Sequence, residues 1–198
     1  DIKIDFTGEI KDDIDAIQLS EQKRIISCLI NGIRVVNVYV PNGSSLTSEK
    51  FNYKIKWLNC LARYLQQQEL RNEPLCLLGD FNIALQDKDI HNPTKLTGGI
   101  MASKEEREAL KAVLGERLED IFRIFEPEGK HWTWWNYRHS AWERNAGWRI
   151  DHIYLSEELL SNTSSCVIEK NIRANVQPSD HVPVMVDIHW PPEENDEE

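Results

Sequence analysis

A layered α/β or α+β domain is what this sequence predicts, on three observations. Runs of strand character flank the pair Asn31-Gly32. An apolar stripe of helical period follows from Phe51 to Leu65. A short continuous apolar run, Leu75-Cys76-Leu77-Leu78, comes after it. Strands are therefore mixed with helices along one chain, and both need a shared core.

Residues 1–21 are polar and acidic without a clear period, and read as a loop or a loose edge. Arg24 to Ile30 and Ile33 to Val40 read as two strands of a hairpin. Asn31 and Gly32 both tolerate the positive φ of a tight turn. Pro41-Asn42-Gly43 ends the second strand. Ser48 to Leu70 reads as a helix, with Phe51, Ile55, Leu58, Ala62 and Leu65 on one face and Thr47 or Ser48 as its cap.

Leu75 to Leu78 is apolar at every position, so it belongs in the centre of a sheet with both faces covered. It stops at Gly79-Asp80-Phe81-Asn82. Lys88 to Met101 reads as loop. Ser103 to about Phe125 reads as helix with a break near Gly115, and Ser103 and Glu106 have the capping-box spacing. Pro127 to Gly147 is aromatic and polar without a period. Trp148 to Leu155 reads as a strand, Ser156 caps a short helix through Leu160, Val167-Ile168 is a short strand, and Val184 to Trp190 is the last one.

The chain has 198 residues and a formal charge of −10. Residues 1–191 are expected to form one domain and 192–198 a disordered acidic tail. The charge excludes a non-specific nucleic-acid coat, which needs a basic face. It leaves room for an enzyme that holds nucleic acid locally through a metal ion and a few cations. No apolar run reaches the length of a membrane span, so no membrane partner is expected. Cys28, Cys60, Cys76 and Cys166 lie far apart without a CxxC pair, and read as free, mostly buried thiols. Seven tryptophans are many for one domain, and those from Trp132 to Trp148 must pack on something or be used for something.

Polar residues at strand ends need an explanation. Asp80 and Asn82 follow the most apolar strand, Asp151 lies inside another, Asp180-His181 precede the last, and Tyr39 lies near the end of the second. A carboxylate beside an apolar strand costs several kcal/mol unless it is paired or binds a cation. Three aspartates at the ends of different strands can converge at one rim of a sheet, where their oxygens suit Mg²⁺, with Mn²⁺ as a substitute. Each also has a plainer reading. Gly-Asp-x-Asn is commonly a turn, Asp180-His181 a loop with a half-exposed imidazole, and Asp151 a partner of Arg149 or another cation. His152, wedged in an apolar strand, reads as structural.

Five segments occur in order: Asn37-Val38-Tyr39-Val40-Pro41-Asn42-Gly43, Leu78-Gly79-Asp80-Phe81-Asn82, Trp134-Trp135-Asn136-Tyr137-Arg138, Arg149-Ile150-Asp151-His152 and Ser179-Asp180-His181-Val182-Pro183-Val184. Together they resemble the exodeoxyribonuclease III family of apurinic/apyrimidinic endonucleases, within the endonuclease/exonuclease/phosphatase superfamily. The likeness runs from about Arg24 to Trp190. It implies a four-layered αββα sandwich of two packed mixed sheets and a metal-dependent DNA-repair phosphodiesterase. Such an enzyme cuts duplex DNA 5′ to abasic sites and trims 3′ ends.

Carried over by resemblance, Asp80 activates or orients the attacking water and Asn82 holds the scissile phosphate. Asp180 pairs with His181, which stabilises developing charge. Asp151 orients His181 or supports the metal, and Tyr39 lies close to the phosphate. Asp80, Asn82, Asp180 and His181 form the expected metal set. Trp134 and Trp148 flank the pocket of an extruded abasic sugar, with Arg138 among the substrate contacts. The resemblance further implies a monomer in the cytoplasm, at the nucleoid.

Two departures stand out. The family's opening strand with an Asn, and its Gln-Glu-Thr-like segment carrying the main metal-binding Glu, have no match here, so the chain is expected to begin about one third into the fold and to have little activity alone. Asn136 stands where the family usually has Asp. Two rival readings follow: a catalytically impaired fragment that binds DNA or protein, and a phosphoesterase acting on a small or lipid phosphate.

Overall fold

In this computed structural model the described residues are 2–4, 6, 14–69 and 73–191; the acidic tail expected at 192–198 lies outside them. Six strands form one mixed sheet: β1 (Ile2–Lys3), β2 (Ile25–Ile30), β3 (Ile33–Tyr39), β4 (Leu75–Asp80), β5 (Leu118–Asp120) and β6 (Asp151–Ser156). Their spatial order is β1-β2-β3-β4-β6-β5, with β3 and β4 parallel and every other pair antiparallel. A second sheet pairs β7 (Thr163–Ile168) with β8 (Val184–Ile188). The helices are α1 (Ile14–Ser20), α2 (Glu49–Glu69), α3 (Pro93–Leu96), α4 (Lys104–Leu114), α5 (Ile121–Phe125) and α6 (Glu157–Leu160). The mixed α/β class is as the sequence predicts.

Side-chain alternation on the central strands builds two cores. Val36, Val38, Leu75, Leu77 and Tyr154 face one way, against Leu58, Leu61 and Leu65 of α2 and Leu110 of α4. Val35, Cys76, Leu78, Ile153 and Leu155 face the other way, against Cys166, Val184 and Val186 of the small sheet. The large sheet is thus sandwiched between helices and a second sheet. Its central strand is β4, as the unbroken apolar run requires.

The turn between β2 and β3 is the two-residue one expected: Asn31 and Gly32 have φ of 48° and 83°, and Ile30 pairs with Ile33. Ser48 caps α2 by accepting the Phe51 amide, and the capping box of Ser103 and Glu106 is present. Several expectations are corrected. Residues 1–21 contain β1 and α1, whose short lengths give no readable period. The segment read as loop from Lys88 holds α3, with Pro93 at its start. Ser103 to Phe125 is not one broken helix. Gly115, at φ 57°, ends α4, and Leu118–Asp120 then pairs with β6 before Asp120 caps α5. The strand expected from Trp148 starts at Asp151, because Trp148 instead bridges to Trp134. β7 starts earlier than expected, at Thr163, because its opening Thr163-Ser164-Ser165 is polar throughout and shows no apolar alternation; its pairing is irregular between Thr163 and Ser165.

One glycine is required by the fold next to the polar rim. Gly79 has φ 138°, and a Cβ there would lie 2.0 Å from the Val38 carbonyl oxygen in the neighbouring strand. Gly79→Ala should therefore destabilise the protein by about 1–3 kcal/mol from overpacking, with a further contribution from the backbone conformation. Urea unfolding checks this; an unchanged midpoint would show that β3 and β4 separate at no cost.

Candidate active site

Three polar residues stand side by side across three adjacent strands. Tyr39 at the end of β3 is the register partner of Asp80 at the end of β4, and Asp80 is the partner of Asp151 at the start of β6. Register partners share a face, here the face that carries the second sheet. The loop before β8 then brings His181 across this row. Its Nδ1 lies 2.9 Å from Asp151 Oδ2 and 3.1 Å from Oδ1, so it donates to that carboxylate. Its Nε2 lies 4.0 Å from Asp80 Oδ2. Among the described residues, Asp80, Asp151 and His181 form a group whose ligand atoms lie within 4.8 Å of one another.

The electrostatics follow from this crowding. Burial, and then the negative charge of Asp151, push the Asp80 carboxyl up to about 6. For His181, burial works to lower the imidazole, but the hydrogen bond and charge of Asp151, with Asp80 and Asp180 behind it, outweigh burial and raise it. Two facing carboxylates beside one imidazole are short of positive charge. That deficit, and the oxygen-rich donor set, fit a metal ion held on Asp80 and Asp151 with His181 beside it.

Two expected roles change. Asp180 does not pair with His181; Asp151 does. The Asp180 carboxylate instead accepts the Trp134 indole N–H at 2.9 Å, and the group of ligand atoms around His181 is formed by Asp80 and Asp151 without it. Asn82 is 6% exposed, at φ 50°. Its amide donates to Val40 O at 3.0 Å and Asp80 Oδ2 at 3.2 Å, and accepts from Asn42 at 2.9 Å. Its backbone N–H adds a 2.8 Å bond to Asp80 Oδ1. Asn82 therefore fixes the Asp80 carboxylate, and both side-chain hydrogens expected on a phosphate are committed to protein oxygens.

Tyr39 is 54% exposed, with the Arg24 guanidinium 4.9 Å from its ring centre. It also lines a recess with Pro41, Asn42, Lys50 and Tyr53. Trp134 lies over His181, ring centres 6.4 Å apart, and is paired by its backbone to both Trp148 and His181. Trp148 is only 7% exposed and packs with Ala102 and Ile150 beneath Trp134. Arg138 is exposed on the loop beyond. The plainer pairing of Asp151 with Arg149 is not made, since Arg149 is buried against Asp89 and Asp120, at 2.8 and 2.6 Å. His152 is structural, as expected: it is fully buried and bonded to Ile83 O at 2.9 Å.

One supporting residue escapes sequence reasoning. Lys54, on the inward face of α2, is completely buried. Its ammonium donates to Glu106 at 2.5 Å, Asn82 O at 2.8 Å and Asn42 O at 3.3 Å. It ties the loop after β3 to the loop after β4, directly beneath Asn82. Its signal was a cation three residues after Phe51, beside an otherwise apolar stripe.

Residues 10–181 match the Endonuclease/Exonuclease/phosphatase family. The chain belongs to that family. The resemblance to exodeoxyribonuclease III is also met. The chain is 35% identical to an exodeoxyribonuclease of Bacillus subtilis over 83% of its own length and 63% of the relative's. A 3′ phosphatase from Neisseria, bound to product DNA hairpin, superposes with a TM-score of 0.87 at 35% identity, over 96% of this chain and 71% of that one. An AP endonuclease from Archaeoglobus fulgidus superposes with a TM-score of 0.83 at 32% identity, over 95% and 70%. The chain thus spans about two thirds of the length of these family members. No helix among the described residues is long and apolar enough to cross a membrane.

Proposed function

We propose that this chain carries the hydrolytic centre of a DNA-repair phosphodiesterase that cuts duplex DNA 5′ to abasic sites and trims 3′ ends. The observation that carries the reading is the row Tyr39–Asp80–Asp151 closed by the Asp151–His181 hydrogen bond. Asp80, held by the backbone and side-chain N–H groups of Asn82, orients the attacking water and takes up its proton. Asp151 fixes the imidazole of His181 so that Nε2 faces the phosphate oxygen on which charge develops. Tyr39 directs its hydroxyl toward the same phosphate. Arg24 and Lys50, beside Tyr39, supply cations for the DNA backbone in an otherwise acidic protein. Trp134, held by Asp180 and backed by Trp148, forms the wall against which a base-free sugar rests. An abasic nucleotide lacks stacking, so it enters at least cost.

Asp80 and Asp151 would hold the divalent cation, Mg²⁺ by their oxygen chemistry, and that ion would neutralise phosphate charge and polarise the bond to be broken. The likeness to a nuclease, a 3′ phosphatase and an AP endonuclease supports a nucleic-acid substrate over a small or lipid phosphate.

The test is incision of abasic duplex DNA by protein expressed from its whole reading frame, with Mg²⁺ or with a chelator. Cutting that needs Mg²⁺ is expected; hydrolysis of small phosphate esters with none of DNA would replace this reading. A second expectation concerns pH. Because Asp80 is raised, ionising it costs folded-state stability, so that contribution is present at low pH and is lost as pH rises through about 6. Mg²⁺ needs the ionised carboxylate, so its rise in melting temperature should be large near pH 7.5 and small near pH 5 (both approximate). An equal rise at both would place the ion elsewhere.

A further inference from the structure

We infer that Thr133 is the positioning residue that sets the distance between Asp151 and His181. It rests on the proposed hydrolytic reading only where turnover is measured. Thr133 is completely buried. Its hydroxyl oxygen accepts the backbone N–H of Ile150 and that of Asp151, each at 3.1 Å. Successive amides of a regular strand point to opposite sides, so one oxygen reached by both marks a kink at Ile150–Asp151. On the opposite side of the kink the Ile150 carbonyl accepts the Phe81 N–H at 2.9 Å, one residue past Asp80. The kink is therefore where the Asp151 side chain acquires its direction.

The same residue also grips the imidazole's loop. The Thr133 carbonyl accepts the Val182 N–H at 2.8 Å, and Trp135, two residues on, gives its N–H to the Asp180 carbonyl at 2.9 Å. Its own N–H is fixed on the Trp148 carbonyl at 2.9 Å. The segment 133–135 thus lies between the start of β6 and the loop before β8. Thr133 itself reaches the Asp151 side through its hydroxyl and the His181 side through its backbone carbonyl. Removing the hydroxyl therefore frees one partner of the pair while leaving the other clamped.

A packing role and a positioning role predict opposite orders of substitution. Thr133→Val keeps shape and removes the acceptor, leaving two buried amides without a partner. Thr133→Ser removes a methyl and keeps the acceptor. Positioning predicts that valine lowers kcat for abasic-site incision by about 100-fold with KM little changed, while serine stays close to the parent. It also predicts that valine abolishes or shifts the far-downfield His181 Nδ1–H proton resonance, measured by NMR without DNA, and that serine retains it. Should valine prevent folding, Thr133→Ser and Thr133→Ala carry the same comparison, since they differ by the hydroxyl alone. The assignment is overturned if valine keeps both turnover and resonance, or if serine loses them as fully as valine or alanine does. If the parent cuts no DNA yet valine still loses the resonance, the proposed function fails and the role of Thr133 stands.

Discussion

His181→Ala is expected to lower the rate of abasic-site incision by about 10²–10⁴-fold, with substrate binding much less affected. The imidazole reaches both carboxylates of the row, at 2.9 Å to Asp151 and 4.0 Å to Asp80. Removing it deprives the phosphate of a donor and leaves the two acids facing one another. Asp151→Ala should lose about as much, and the double variant little more, because the two act as one unit. Asp80→Asn separates activity from stability. It should remove turnover yet raise the melting temperature without added metal, since a buried carboxyl held up to about 6 no longer has to ionise. Parallel incision assays and thermal melts decide the matter. A His181→Ala protein that cuts DNA at the parent rate would dismiss the role assigned to the whole row.

The largest effect on stability is expected at Arg149. Its guanidinium is 1% exposed and bonds Asp89 at 2.8 Å and Asp120 at 2.6 Å, while Arg123 reaches Asp89 from the other side at 2.6 Å. Burial works against the Arg149 charge, but the two carboxylates outweigh it. Arg149→Met strands Asp120 and leaves the buried Asp89 with Arg123 alone, so a loss of about 3–5 kcal/mol is expected, a large part of what a domain this size possesses. The pH dependence should change with it. In the parent, burial alone would raise Asp89, but the paired arginines hold it below the usual carboxylate range. Its contribution is thus in force above its unfolded value and is lost only as pH falls through the depressed folded one. In Arg149→Met the Asp89 carboxyl loses the first of the cations that hold it down and keeps only Arg123, so the loss of stability toward acid should be shallower than in the parent. Urea midpoints across that range test this; a variant matching the parent at every pH would mean that the ion network carries no net weight.

Much of the rim is legible in the sequence because its residues interrupt strands. Asp80 follows four apolar residues, and Asp151 and His181 lie next to alternating runs, so their placement at strand ends follows from patterning. Which carboxylate takes which proton does not follow. Asp180 is the chain neighbour of His181, yet it is Asp151, 30 residues away, that bonds the ring. A backbone neighbour fixes where a side chain starts, not where it points. The same limit hides Lys54, whose carboxylate partner Glu106 lies 52 residues on, and Thr133, whose two amides lie 17 and 18 residues on. Hydrophobic period reports burial of apolar groups and is silent about polar groups buried against distant partners. The short elements β1, α3 and β5 are missed for a different reason: two to four residues cannot display a period.

Tyr39, Asp80 and Asp151 occupy a single rung of the backbone ladder, and a rung admits no intermediate setting. A slip of β4 by one residue would turn Asp80 toward the helices and bring Gly79 or Phe81 into its place. The constellation is accordingly whole or absent in any one molecule. Mild denaturant or a weakened core should thin the population of competent molecules and leave each survivor turning over at its full rate.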